Sequence, residues 1–155
     1  MSSQFEKLAQ DEQEFMYKAP ILVAILIAGA DGDIDRNEIK EGIAQANKRQ
    51  RSASVELMEL YKEISTDFED KLKIVLQSYP VEVSQRNPLI VEELSRLNSV
   101  FPRLDRSFST AYYQSICDLA VKVAQSSGGL LGMKSIGAAE ARYVKLPMIT
   151  DPSVR

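Results

Sequence analysis

Residues 19–30 read APILVAILIAGA, and the chain runs straight on into DGDIDRNEI at residues 31–39. A stretch this apolar has no polar face to offer water, so it is read as a helix enclosed on all sides. It falls well short of the ~20 residues a membrane-spanning helix needs. The sequence therefore predicts a soluble fold built around one central buried helix, with an acidic turn at its end.

Outward from that run, the spacing of apolar residues follows the helical period and never the strict alternation of strands. Phe5, Leu8, Phe15 and Met16 mark a first helix, and Pro20 separates it from a second over Ile21–Ala30. A third is expected from about Asp35, with Ile39, Ile43 and Ala46 inward. Val55, Met58, Tyr61 and Ile64 mark a fourth. The fifth carries Phe68, Leu72, Val75 and Tyr79, with Thr66 and Glu69 placed as a capping box. Asn87-Pro88 opens a sixth, with Ile90, Leu94, Leu97 and Phe101 inward, since proline suits a first turn. A seventh runs from about Asp105 to Gln125 with Phe108, Tyr112, Ile116, Leu119 and Val123 as its stripe. A last short helix begins near Ala138 and weakens at Pro147. The expected fold is all-α, a compact bundle of seven or eight helices in one domain over residues 1–150, followed by a loosely attached tail at 151–155.

Composition narrows the function classes. The chain of 155 residues is long enough to bury a core without staples, and its net charge of −3 offers no basic footprint for nucleic acid. Histidine is absent and Cys117 is the single cysteine, which excludes an intramolecular disulfide and suits a reducing, cytoplasmic setting. Without histidine the usual general base near neutral pH and the commonest zinc ligand are both missing. A metal held here is bound by oxygen, so calcium leads, with magnesium and manganese as alternatives. The polar, acidic N-terminus lacks the pattern of a signal peptide.

The strongest local signal is Asp31-Gly32-Asp33-Ile34-Asp35-Arg36-Asn37-Glu38. Four carboxylates around a glycine repel one another unless a cation or backbone donors share the site. The pattern matches the last eight positions of an EF-hand calcium loop, with the glycine turn, the apolar residue two positions on, and a closing Glu. The two earlier ligand positions fall on Ile27 and Gly29, which carry no carboxylate. What remains is a half-loop that needs backbone carbonyls, water or a second acidic segment to complete its shell. A plainer reading stands beside it: Asp35 and Glu38 form a capping box worth about 1 kcal/mol, and Asp31 and Asp33 are solvated turn residues.

An echo follows later in the chain. The apolar run Leu22–Ala28 leads through a glycine turn to Ile34 and Glu38, and a second apolar helix ending at Ala124 leads through glycines to Ile136 and Glu140. The segments ILIAGADGDIDRNEI and LAVKVAQSSGGLLGMKSIGAAE, with LNSVFPRLDRSF before the long helix, are similar to the TerB-like family of tellurite-resistance proteins. The resemblance covers roughly Pro20 to Tyr143. It implies about seven helices with approximate internal two-fold symmetry, a place in bacterial tellurite-resistance and stress systems, and metal binding through Asp31, Asp33, Asp35 and Glu38. Glu140 matches the acidic position of the second half. There the chain departs from the family, holding Lys134 and Ser135 where an Asp-Gly pair stands.

Other candidates read more plainly. Gly128–Ser135 superficially resembles a phosphate-binding loop, but Met133 replaces its second glycine and no strand precedes it. Cys117 reads as a core or boundary thiol without an activating histidine. Lys48, Arg49 and Arg51 complement a helix C-terminus. The expectation is a non-enzymatic protein that binds one divalent cation and works with a protein partner in a stress response. The alternatives are an interaction module without metal and a metal-dependent hydrolase using the same turn.

Overall fold

The computed structural model describes residues 4–29, 36–49, 55–127 and 142–154, and among them there is helix, turn and irregular chain but no strand. The helices are α1 (Gln10–Ala28), α2 (Arg36–Arg49), α3 (Val55–Ser65), α4 (Phe68–Gln77), α5 (Val83–Leu94), the single turn α6 (Leu97–Val100) and α7 (Arg106–Ser127). Short 3-10 turns stand at Phe5–Lys7, Phe101–Arg103 and Pro152–Val154. The described chain is thus all-helical, with six helices of ten residues or more. No helix among the described residues is long and apolar enough to cross a membrane.

α1 is the central element. Every residue from Ala19 to Ala28 is buried, and α7, α5, α2 and α4 close around it. The two helices expected on either side of Pro20 are one. Proline has no N–H to give to the carbonyl four residues back, here that of Met16. The hydroxyl of Tyr112 on α7 supplies the missing donor, reaching the Met16 oxygen at 2.7 Å in the buried core. A partner from elsewhere in the fold therefore carries the helix past its proline. Tyr112 belongs to a longer buried chain of hydroxyls: Tyr61 and Ser115 are 2.9 Å apart, and Ser115 donates to the Tyr112 carbonyl at 2.7 Å.

α7 packs most extensively against α2 and then α1. The approach of α2 is close because Gly42 faces Val123: a Cβ built on Gly42 would stand 2.5 Å from Val123 Cγ2. Ile39 and Ile43 on the same helix are buried, as expected.

Elsewhere the stripes shift. In α3 the buried set is Leu57, Leu60, Tyr61 and Ile64, while Val55 is 68% exposed and Met58 only half-buried. The physical reason is geometric. A strict three-residue spacing drifts around a 3.6-residue helix, whereas the observed set keeps the i, i+3, i+4, i+7 rhythm. The capping box expected at Thr66 and Glu69 does not form. Asp67 holds the N-cap position of α4 in the left-handed region (φ 52°, ψ 40°), and the Thr66 hydroxyl turns back to the Lys62 carbonyl of α3 at 3.0 Å. Phe68 and Leu72 are buried, with Val75 and Tyr79 packed at the edge of the core.

The sixth expected helix begins earlier than Asn87-Pro88. α5 starts at Val83 and carries Pro88 inside it. Ile90, Leu94, Leu97 and Phe101 are buried as the periodicity implies, and so is the whole expected stripe of α7. The last expected helix, near Ala138, starts outside the described residues; from 142 to 149 the chain makes turns. Past Thr150 the 3-10 turn packs on α7 with Pro152 buried, and Asn98 ties the approach by bonds to the Met148 carbonyl (3.0 Å) and the Thr150 N–H (2.8 Å).

Candidate metal centre

The acidic segment Asp31–Glu38 follows α1 in the chain and runs into α2. α1 ends at Ala28, and the N–H of its capping residue Gly29 bonds back to the Ile25 carbonyl at 2.8 Å. α2 begins at Arg36. Residues 29–35 thus lie between the two helices in the chain. Asp31, Asp33, Asp35 and Glu140 lie outside the described residues. Glu38 falls in the first turn of α2, its side chain likewise outside them. Among the described residues, no cluster of three or more Asp, Glu, Cys or His side chains could hold a metal ion.

The described residues show what stands at the C-terminal end of α1. The last carbonyls of α1 have no partner within the helix and form the negative end of its dipole. Arg86 of α5 stands there: its Nη2 donates to the oxygen of the capping residue Gly29 at 2.8 Å, and its Nη1 to the Val81 oxygen at 3.5 Å. Arg86 is only 4% exposed, and burial lowers its pKa from the ordinary guanidinium value, although a guanidinium keeps its charge. Its Nε is buried without a hydrogen-bond partner among the described residues, as is the Oδ1 of neighbouring Asn87.

Arg86 escapes a sequence reading that starts the helix at Asn87-Pro88, since that places the arginine in solvent. The signal is its spacing: Arg86 stands four residues before Ile90 and eight before Leu94, on the buried face.

No family model matches this chain, and neither a curated protein nor a solved structure is similar to it.

The remaining candidates have plain surroundings. Cys117 is half-buried in α7; burial raises its pKa, opposed by a hydrogen bond with Tyr113. A raised pKa makes it a poor nucleophile. Lys48 is exposed near the end of α2, where a cation complements the helix dipole. Arg51 and the Gly128–Ser135 loop lie outside the described residues.

A separate feature lies between α1, α3 and α4. A groove of about 560 Å³ has Tyr17, Ile21, Ile64, Ile74 and Val75 along it and Glu63 and Lys71 at its rim. Ile74 is 64% exposed there, although it sits on a helix whose other apolar residues are mostly covered. Burial, with Glu63 and Glu59 nearby, raises the pKa of Tyr17.

Proposed function

We propose that this chain is a non-enzymatic helical protein that binds one divalent cation, calcium before magnesium or manganese, through Asp31, Asp33, Asp35 and Glu38. The observation that carries the reading is the frame: a buried helix ends at Ala28, a new helix starts at Arg36, and a connection rich in carboxylates joins them. Glu38 then occupies the first turn of α2, where the closing ligand of a calcium loop belongs. By its resemblance to the TerB-like family, the protein acts in the bacterial cytoplasm as a sensor, buffer or interaction module in stress response. The same resemblance favours a full complement of about seven helices in two pseudo-equivalent halves, and the sequence periodicity one of seven or eight. The placement of α1 beside α7, each leading into a glycine-containing segment, is compatible with it.

Thermal melts in calcium, magnesium, manganese and chelator test the proposal. An ion at about 100 times its Kd adds roughly 2.7 kcal/mol to a protein that binds it only when folded. The wild type should melt several degrees higher in the preferred ion, and Asp31→Ala should remove the difference. Superimposable wild-type melts in all four conditions would end the metal reading.

The groove between α1, α3 and α4 favours a second reading, a module that recognises another protein with the acidic turn as cap and solvated loop. Exposed apolar surface rimmed by charge is where partners dock. On this reading Ile74→Glu shifts the melt by no more than about 0.5 kcal/mol, as surface changes do, yet abolishes co-purification of a partner from the host. Retention of the same partner by Ile74→Glu would dismiss it.

A further inference from the structure

We infer that the groove between α1, α3 and α4 takes a basic amphipathic helix of a partner protein. The inference rests on the docking reading of that groove and is independent of the metal reading. Tyr17 and Ile21 line the groove from one face of α1, Ile64 from α3, and Ile74 and Val75 from α4. Ile21 and Ile64 are almost covered and form its floor, whereas Ile74 is exposed at its edge. An incoming extended strand needs a sheet edge, and the described residues hold no strand. A trough between helices suits a helix laid with its apolar face inward.

Charge decides which helix. Both lysines of the groove are already engaged. Lys18 lies 3.4 Å from Glu93 and over the Tyr79 ring at 5.3 Å. Lys71 donates to the Thr66 carbonyl and stands 3.9 Å from Glu63. Glu14, also in the lining, accepts from the neutral Gln10 amide at 3.3 Å, and neither it nor Glu59 forms an ion pair among the described residues. Glu59 stands one helical turn before Glu63 on the same side of α3. Burial first, then the charges of Glu63 and Glu59, raise the pKa of the Tyr17 hydroxyl in the groove wall. The uncompensated charge around the groove is therefore negative. That sign argues against two other occupants. A second copy seated groove to groove would press like-charged rims together, and an anionic membrane surface would be repelled. Lysine or arginine beside the apolar stripe of an incoming helix meets Glu14 and Glu59 as counter-charges.

The test uses two fluorescent amphipathic peptides of about 18 residues with the same leucine stripe, one with lysine on its polar face and the other with glutamate. Anisotropy measures their binding to the full chain. The lysine peptide should bind about tenfold more tightly than the glutamate peptide, gain helix in circular dichroism and lose affinity as salt rises. Ile74→Ala should weaken it about tenfold, as loss of an anchor does, and Glu14→Gln/Glu59→Gln about fivefold. All three side chains are exposed, so these variants keep the fold. Equal affinity of the two peptides, both weakened by Ile74→Ala, keeps the docking reading and overturns the basic helix. An affinity for the lysine peptide unchanged by Glu14→Gln/Glu59→Gln overturns it too. A lysine peptide indifferent to Ile74→Ala is drawn elsewhere on this chain of net charge −3, and the inference fails. If neither peptide binds, the inference falls together with the docking reading beneath it.

Discussion

Raising the pH above 10 should unfold this protein steeply, because two tyrosine hydroxyls are sealed in its core. Tyr61 and Tyr112 are fully buried, and burial pushes both hydroxyls above their ordinary value of 10.0. The unfolded chain releases these protons as the pH passes about 10, while the folded chain holds them. The unfolded state then binds fewer protons, so stability falls as pH rises and is fully present below pH 10. Each tyrosine contributes about 1.4 kcal/mol per pH unit in this window, hence roughly 2.7 kcal/mol for the pair. Tyr113, raised to about 12, is partly exposed and adds less. Tyr112→Phe separates the contributions. At neutral pH it leaves the Met16 carbonyl without its donor and should cost about 1–3 kcal/mol. Above pH 10 its slope should be shallower than that of the wild type by about 1.4 kcal/mol per pH unit. Denaturant unfolding at pH 8, 9.5, 10.5 and 11 checks both, and a wild-type stability that stays level to pH 11 would contradict the buried hydroxyl chain.

The second large effect is expected at Gly42. Valine there should cost about 3 kcal/mol, the upper part of the usual range for overpacking. Even the first carbon of a side chain meets Val123 Cγ2 at 2.5 Å and the Val123 Cα at 3.4 Å. The obstacle is stiff, because a β-branched side chain in a helix has one strongly preferred rotamer. Helix propensity works the other way but recovers less than about 1 kcal/mol. Val123→Ala should restore part of the loss, so that the double variant is more stable than the sum of the single changes. Additive losses would mean that α2 and α7 do not meet at this pair.

Sequence periodicity makes most of the helical bundle legible, and the places where it fails have physical causes. The stripe of α7 is readable because a helix of 22 residues repeats its pattern often enough to fix a face. α3 is short, and two competing spacings fit its apolar residues until burial selects Leu57 and Leu60 over Val55 and Met58. Pro20 reads as a boundary because local chemistry disfavours it inside a helix. Only Tyr112, far along the chain, supplies the donor that lets the helix continue. Thr66 and Glu69 carry the residue types of a capping box, yet the left-handed Asp67 takes the chain round the corner without one.

The candidate site divides in the same way. Its carboxylates stand together in the sequence, so the pattern is legible at once. Arg86 is remote in the chain and joins Gly29 only through the packing of α5 on α1.

The pairing of Pro20 with Tyr112 also bears on how the molecule comes into being. The donor that completes α1 lies 96 residues downstream of the acceptor it serves. On the ribosome the first helix therefore emerges with a gap in its ladder that nothing yet synthesised can close. Until α7 is made, that carbonyl has no donor from its own helix. Maturation of the centre thus waits on the C-terminal third of the chain.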